Sequence, residues 1–204
     1  MTRRALDAYY TPDALADAIV DSLPSRCGPG TGWMILGPGP GAGWILEPHV
    51  GGGAFARAVA GRWPGSLVCG LDIDPSAAGA KDCARFEAGD FLAPSLPIDP
   101  NNRPSLIIGN PPFDRAEAHI RQALEVVAPG GTVVFLLRLA MLESKQRIAL
   151  WREHPPSHID VLSERPSFTG GGTDSAAYGV FRWSPEPEPE PKPTTLGWLS
   201  WKTR

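Results

Sequence analysis

Short runs of apolar residues alternate along the chain with longer segments in which apolar residues recur every three or four positions. The short runs are typical of β-strands, whereas recurrence at the longer spacing is typical of amphipathic helices. The short runs predict seven strands, at residues 44–46, 67–71, 85–88, 106–108, 132–137, 159–162 and 178–183. Seven strands are enough for a full sheet.

Helical patterns fit between several of these strands. One helix is predicted at residues 54–60 and another at residues 116–127, where an apolar stripe ends at a Pro-Gly-Gly break. A third helix begins near the N-terminus, with Thr11 as its N-cap and Pro12 as its first residue. Its apolar face comprises Leu15, Ile19 and Leu23.

Alternation of strands and helices predicts an α/β fold with a largely parallel sheet. The last two strands are an exception, because residues 163–177 between them are rich in Gly, Ser, Thr and Pro and show no helical pattern. These two strands should therefore pair antiparallel. A seven-stranded, mostly parallel sheet that ends in an antiparallel hairpin differs from the dinucleotide-binding fold, which repeats its βαβ half twice.

The composition indicates a globular protein in a reducing compartment. The 204 residues are 42% hydrophobic and 20% charged, near the globular average. No apolar run approaches the roughly 20 residues of a membrane span, and the N-terminus lacks the apolar stretch of a signal peptide, so we expect a soluble, cytoplasmic protein. Cys27, Cys69 and Cys83 have no CxxC spacing, which predicts neither a metal site nor a disulfide framework.

A change of composition near residue 184 divides the chain. In residues 185–193 proline alternates with glutamate and then lysine, a pattern typical of an extended linker. The segment after it contains Trp198 and Trp201 but is too short to bury a core, so a disordered tail is expected, with a partner-docking peptide as the alternative. We therefore expect one folded domain at residues 1–184, followed by a linker and disordered tail at 185–204.

The first motif with chemical meaning is EPHVGGGAF, from Glu47 onward, at a predicted strand-to-helix junction. Glycines there let a ligand approach the backbone, and the helix start presents free N–H groups. Gly51 and Gly53 also fit a GxGxxA dinucleotide pattern, with Asp72 about 20 residues further on, where a ribose-binding acid belongs. This spacing does not distinguish a site for nicotinamide cofactors from one for S-adenosylmethionine (SAM).

An earlier glycine-rich stretch, residues 37–43, contains two prolines and is interpreted as a loop.

Acidic residues follow the second and third predicted strands. Asp72 is the candidate for the ribose hydroxyls, whereas Asp74 is expected to cap a helix that starts at Pro75. Asp90 and Phe91 offer a carboxylate for an exocyclic amine and a ring to lie beside a purine. A capping aspartate beside a core phenylalanine would give the same pair, so only the position in the fold favours the ligand-binding interpretation.

The strongest motif is Asn110-Pro111-Pro112-Phe113, directly after the fourth predicted strand. Two consecutive prolines hold a fixed backbone, so the Pro111 carbonyl and the Asn110 carboxamide can act as fixed hydrogen-bond acceptors. Two acceptors aimed at one planar amine pull its lone pair out of conjugation and orient it for in-line attack on an electrophilic methyl group. Phe113 would supply a stacking face for the base or amide that carries the amine.

The order of these motifs resembles that of the class I SAM-dependent amino-methyltransferases, in particular the N6-adenine type. The resemblance rests on YYTP, EPHVGGGAF, LDIDP, GDF and NPPF, and extends over roughly residues 5–183. Its later part, RLAMLESKQR and RPSFTGGGTDSAAYGVFRW, looks like compact methyltransferases carried by bacteriophages and prophages. The resemblance implies the Rossmann-like class I methyltransferase fold, with SAM as the cofactor.

The resemblance also implies which residues act. The residues expected to hold SAM are Tyr10, Thr11, Pro12, Glu47, Pro48, Gly51, Gly53, Asp72, Ile73, Asp90 and Phe91, and those expected to receive the target amine are Asn110, Pro111, Pro112 and Phe113. Two departures from the family pattern stand out. Ser105 replaces an acid often found before the fourth strand, and no separate target-recognition domain follows the last predicted strand.

A nucleic-acid partner would have to be bound by a local surface, because the net charge is −3. Two segments at the carboxyl edge of the sheet, residues 138–152 and 163–177, could provide it, although a solvated helix face and a plain loop would look the same. The residues expected to contact DNA phosphates are Arg138, Lys145, Arg147 and Arg165.

These observations lead to one main hypothesis, methylation of the N6 amine of adenine in DNA. The same chemistry on RNA adenine, cytosine N4 or a protein glutamine remains an alternative. A catalytically silent SAM-fold subunit is disfavoured by the complete Asn-Pro-Pro-Phe motif, and an NAD-dependent oxidoreductase by the lack of a second βαβ half.

Overall fold

The structure is a computed structural model that describes residues 10–24, 43–94, 96, 98–168, 174–184 and 193–202. Several expectations fall outside these residues. They are Cys27, all but the last residue of the glycine-rich stretch 37–43, the glycines at 170–172, and linker residues 185–192.

Eight strands and four α-helices make up the described part of the chain. The strands are β1 (Ile45–Glu47), β2 (Val68–Asp72), β3 (Arg85–Ala88), β4 (Leu106–Gly109), β5 (Thr132–Arg138), β6 (His158–Leu162), β7 (Tyr178–Trp183) and β8 (Thr195–Leu199). The helices are α1 (Asp13–Ser22), α2 (Ala54–Arg62), α3 (Ala116–Val126) and α4 (Ile148–Glu153). Short 3-10 turns lie at Ala78–Asp82, Leu139–Leu142 and Lys145–Arg147.

The strands form one sheet in the order β3-β2-β1-β4-β5-β7-β6-β8. Strand β7 runs antiparallel to both of its neighbours, and every other adjacent pair is parallel. All strands except β7 therefore end at the same edge, which we call the carboxyl edge. The predicted α/β fold, with a mostly parallel sheet and an antiparallel hairpin, is confirmed.

Apolar side chains cover both faces of the sheet. On one face α1 and α2 pack against a cluster that includes Val134 and Leu136 of β5, and on the other face α3 packs against a cluster that includes Phe135 and Leu137. Successive β5 side chains thus enter opposite layers, as the twofold period of a strand requires. Full burial of one such Val, Leu or Phe side chain stabilises the fold by roughly 1.5 to 3 kcal/mol.

The seven predicted strands are all present, with ends that shift by at most one residue. Two predicted helix starts are wrong. Helix α1 begins at Asp13, because Pro12 keeps an extended backbone (φ −59°, ψ 139°) while its carbonyl accepts from the Leu15 and Ala16 amides, which makes Pro12 the N-cap in place of Thr11. No helix starts at Pro75, since Asp74 Oδ1 instead accepts from the Ser76 amide and hydroxyl in a local turn.

The prediction of a disordered tail is wrong for residues 193–202. Strand β8 pairs with β6 from Thr195 opposite His158 to Leu199 opposite Leu162. At its end the Trp201 indole N–H donates to the Glu164 carbonyl at 2.9 Å, and the ring packs on the core cluster of α1 and α2. The sheet has eight strands because a short segment can use an existing edge and an existing core without supplying its own.

None of the helices in the described ranges is long and apolar enough to span a lipid bilayer.

Candidate active site

The loops that follow β1, β2, β3 and β4 meet around an open cavity of about 270 Å³ at the carboxyl edge. The chain leaves β1 outward to β2 and β3 and then crosses back to β4 on the other side of β1. Such a reversal opens a crevice where α/β sheets bind ligands. The predicted site residues that line the cavity are Tyr10, Pro48, Gly51, Asp72, Ile73, Asp90, Phe91, Asn110, Pro111, Pro112 and Phe113.

Four predicted cofactor residues lie elsewhere or only beside this cavity. Thr11 and Glu47 line a small adjoining pocket that shares Gly51 and Asn110 with the large one. Pro12 and Gly53 line neither pocket and act as the N-caps of α1 and α2. Gly53 (φ 79°) is required by packing, because a Cβ there would lie 2.7 Å from the Gly79 Cα.

The turn after β1 brings its backbone into the cavity. Gly51 has a φ of 47°, and a Cβ at this position would lie 3.0 Å from the Tyr10 ring. Its amide donates to Asp72 Oδ2 at 2.8 Å, and the Asp74 amide donates to Asp72 Oδ1 at 2.9 Å. Two backbone N–H groups therefore fix the Asp72 carboxylate at the end of β2, on the rim of the cavity.

Glu47 ends β1 and is 1% exposed. Burial raises the pKa of this carboxyl well above its usual range, against a smaller lowering by the Ala56 amide. Among the described residues, its Oε2 has no hydrogen-bond partner. The small pocket therefore contains a buried acid with an unused acceptor, which suits a ligand that carries a donor.

Two histidines at the base of the cavity were not predicted to belong to the site. His49 Nε2 and His119 Nδ1 lie 2.7 Å apart, and the His119 ring stacks on Phe91 at 5.8 Å. Burial lowers the pKa of His49 well below its usual range and that of His119 to about 4, so both rings are neutral at pH 7. A signal existed for His119, since it shares the buried stripe of α3 with Ala116 and Ala123.

Asp90 and Phe91 combine structural contacts with a place on the cavity wall. Asp90 Oδ1 accepts from the Leu92 amide at 2.9 Å, and Oδ2 lies 3.3 Å from Arg115 Nη1. The Leu92 N–H and, to a lesser extent, Arg115 hold the Asp90 pKa below its usual range. Phe91 is 2% exposed and belongs to the core. Arg115 lines the cavity as well and was missed, because no motif contains it.

The Asn110-Pro111-Pro112-Phe113 motif follows β4 on the opposite side of the cavity from Asp72. Asn110 Nδ2 donates to Thr11 Oγ1 at 3.3 Å, which turns the carboxamide oxygen away from Thr11. Pro111 is buried and Pro112 exposed. The Arg138 guanidinium carbon lies 4.4 Å from the centre of the Phe113 ring, and Tyr178 and Phe168 also lie near this ring. Neither aromatic neighbour was predicted.

The four residues predicted to contact phosphates lie in different surroundings and do not form one cluster. Arg138 lies beside Phe113, whereas Arg147 Nη1 donates to the carbonyls of Ala140 and Glu143 and so closes its own turn. Lys145 and Arg165 lie on the exposed surface. Within the described ranges, no group of three His, Cys, Asp or Glu side chains could hold a metal ion.

The chain matches no family model. It is 36% identical over 111 residues to a tRNA1(Val) (adenine(37)-N6)-methyltransferase of Porphyromonas gingivalis, a match that covers 44% of this chain and 42% of that protein. The aligned region therefore spans less than half the length of this curated relative.

Solved structures show the same fold at low identity. One is a Listeria monocytogenes protein assigned to the class I SAM-dependent methyltransferases, with a TM-score of 0.65, 16% identity, and coverage of 95% of this chain and 67% of that one. Another is the M protein of the type I restriction enzyme EcoKI, with a TM-score of 0.60, 16% identity, and coverage of 90% and 45%. The fold is the Rossmann-like class I methyltransferase fold that the sequence predicted.

Proposed function

We propose that this chain transfers a methyl group from SAM to the exocyclic N6 amine of adenine in DNA. The observation that carries the proposal is that one cavity has the Asn110-Pro111-Pro112-Phe113 motif on one side and the hydrogen-bonded pair Gly51 and Asp72 on the other. An acceptor motif and a nucleoside-binding motif that share a cavity are what a group transfer between two substrates needs.

The residues present fit SAM as the cofactor. The buried Glu47 has an unused acceptor at the small pocket, where it suits the methionine amino group of SAM. Gly51 leaves its backbone open to the ligand, and Asp72 offers its carboxylate to the ribose hydroxyls. Ile73, 55% exposed at the cavity wall, supplies an apolar surface for the adenine ring. When bound, SAM supplies an electrophilic methyl group.

The chain's own contribution to the chemistry is positioning. The Asn110 carboxamide oxygen and the Pro111 carbonyl accept hydrogen bonds from the two N–H groups of the target amine, so the nitrogen lone pair points toward the cofactor side of the cavity. The Thr11 contact orients the carboxamide for this purpose. Phe113 contacts the plane of the base that carries the amine. Lys145, Arg147 and Arg165 contact phosphates, and so add affinity without sequence preference.

Adenine N6 in RNA is the second candidate substrate. The specific observation in its favour is the curated relative, a tRNA adenine-N6 methyltransferase. The EcoKI M protein, part of a restriction enzyme, supports the DNA assignment. Cytosine N4 and protein glutamine offer the same kind of planar amine and belong in the same test.

The test is methyl transfer from labelled SAM to DNA, RNA and protein, with the products resolved as nucleosides and amino acids. The DNA and RNA oligomers share one sequence, each in single-stranded and duplex form, and Asn110→Ala is the control for contaminating activity. We expect label in N6-methyldeoxyadenosine that the control lacks. Label confined to RNA or protein would overturn the DNA assignment, and stabilisation by NAD but not by S-adenosylhomocysteine would overturn the methyltransferase assignment.

A further inference from the structure

Arg138, Tyr178 and Asp174 contact one another beside Phe113. Arg138 is the last residue of β5, Tyr178 is the first residue of β7, and Asp174 lies in the loop before β7. Arg138 and Tyr178 lie directly opposite each other in the antiparallel pair. Arg138 Nε donates to the Tyr178 hydroxyl at 3.1 Å, and this hydroxyl donates to Asp174 Oδ2 at 2.7 Å. An ion pair of 3.6 Å between Arg138 Nη2 and Asp174 Oδ2 completes the triangle.

Backbone hydrogen bonds hold Asp174 in position within this network. Its Oδ1 accepts from the Ala176 amide at 3.0 Å, and its own amide donates to the Pro166 carbonyl at 3.0 Å. The Ala176 N–H and then the Tyr178 hydroxyl hold the Asp174 pKa below its usual range. The carboxylate therefore stays ionised at neutral pH, and the backbone fixes its position.

The network places the Arg138 guanidinium over one face of the Phe113 ring, with its central carbon 4.4 Å from the ring centre. A guanidinium at this distance attracts the ring electrostatically. Phe113 lies in the turn between β4 and α3, where the Arg115 amide donates to the Pro112 carbonyl at 3.2 Å. This bond fixes the backbone of the turn, whereas the contact with Arg138 bears on the orientation of the Phe113 ring. The Tyr178 ring lies 5.5 Å away at 53°, so the aromatic ring is bounded by two members of the network.

The same contacts change the expected role of Arg138. A cation that binds phosphate presents its charge to the solvent, whereas the guanidinium of Arg138 already pairs with Asp174 and already lies over the Phe113 ring. A base that stacks on Phe113 must then use the other face of the ring or displace the guanidinium.

We infer that Arg138 is a positioning residue for the acceptor base: the Asp174–Tyr178–Arg138 network holds Phe113 in place, and Arg138 does not contact phosphate. The inference rests on the proposed function, because Phe113 contacts a base only if the chain is a nucleic-acid methyltransferase. It adds a residue that acts through Phe113 to the four residues of the motif itself.

The experiment measures steady-state kinetics and nucleic-acid binding for the full chain and for Arg138→Gln, Arg138→Lys and Tyr178→Phe. The oligonucleotide is the one that the wild type methylates best. Arg121→Gln is the matched control, since Arg121 also forms ion pairs, with Glu117 and Glu153, on α3 away from the cavity. SAM affinity is measured for each variant, and the salt dependence of oligonucleotide binding for the wild type and Arg138→Gln.

We expect Arg138→Gln to raise the KM for the oligonucleotide by between about 3-fold and 30-fold, the range of a partly desolvated cation–π contact. SAM affinity and the slope of log Kd against log salt concentration should stay at the wild-type values. Arg138→Lys should recover part of the loss, because the ammonium keeps the charge but not the flat stacking surface. Tyr178→Phe, which removes only the hydroxyl that bonds Arg138 and Asp174, should also raise KM. This variant tests the inference even if Arg138→Gln fails to fold.

Three results would overturn the inference. A salt slope that falls by about one would identify Arg138 as a phosphate contact. A lower KM in Arg138→Gln would mean that the base displaces the guanidinium. Equal KM values in Arg138→Gln, Tyr178→Phe and Arg121→Gln would leave the network without an effect on the acceptor. A wild type that transfers no methyl group to any nucleic acid would instead refute the proposed function.

Discussion

The two sides of the cavity are built in different ways. On the side that we assign to the cofactor, called the cofactor side, the turns after β1 and β2 meet through backbone amides that donate to a carboxylate, as from Gly51 to Asp72. On the acceptor side, the turn after β4 with the ends of β5 and β7, side chains from distant parts of the chain surround Phe113. A backbone-built site tolerates changes around it, whereas a side-chain-built site depends on several residues that must stay together.

The largest effect is expected where the acceptor side meets the reacting atoms. Asn110→Ala should lower kcat by at least about 100-fold, because the carboxamide oxygen matters most as charge develops on the amine in the transition state. SAM affinity, measured by calorimetry, should stay near the wild-type value, which separates the two sides. Full turnover in this variant would refute the acceptor role of the motif.

The cofactor side should respond in affinity instead of turnover. Asp72→Ala should weaken SAM binding by roughly 1 to 3 kcal/mol, the range for hydrogen bonds to a charged group. Asp99→Ala is the matched control, since Asp99 also accepts from a backbone amide two residues on but does not line this cavity. Equal SAM affinity in both variants would remove Asp72 from the cofactor site.

His49 and His119 join the two sides, and their titration gives a stability test. A folded His119 pKa of about 4 lies below the ordinary value of 6.5, so the unfolded chain binds more protons between these values. The stabilisation from His119 is thus complete above about pH 6.5 and decreases as the pH falls toward 4.

Between pH 7.5 and 5 the wild type should lose on the order of 2 kcal/mol of unfolding free energy through this histidine. Four carboxyls among the described residues have a lowered pKa, and they act below this window: Asp90, Glu153, Glu164 and Asp174. Urea unfolding of the wild type and His119→Leu at both pH values checks the expectation. The variant should show the smaller difference, and an equal difference would show that the pKa of His119 is not lowered in the fold.

The smallest effect is expected at β8, which extends the acceptor side of the sheet. Trp201→Ala should lower the unfolding free energy by about 1 kcal/mol, less than for a fully buried tryptophan because the ring is only partly buried. Trp198→Ala, within β8 and 69% exposed, should change the unfolding free energy by less than about 0.5 kcal/mol. Equal melting temperatures for the two variants would indicate that Trp201 does not contribute to the core.

The contrast between the two sides also explains what could be predicted from the sequence. Gly51 and Asp72 lie in short motifs next to strands, and each motif is complete within a few residues. Loops after neighbouring parallel strands meet at one edge of the sheet, which is why these motifs line one cavity.

Contacts between distant residues could not be predicted in this way. Nothing near Phe113 in the sequence indicates that Arg138 and Tyr178 lie against its ring, because that contact depends on the register of β5 with β7. Arg138 was therefore interpreted from its charge alone. The strand β8 was missed for another reason. It lies at the edge of the sheet, is largely exposed and contains Gly197, so its own residues show little of the pattern of a buried strand.

The direction of β8 determines how the molecule can be attached to a surface. Because β8 runs parallel to β6, Trp201 lies at the carboxyl edge, the same edge where Tyr10 lies against Gly51. An immobilisation tag placed close to either of these residues would turn the cavity toward the support. The turn at Gly65, between α2 and the start of β2, lies at the opposite edge. A tether attached there would leave the cavity facing the solution, which is the orientation that sensor measurements of ligand binding to this cavity require.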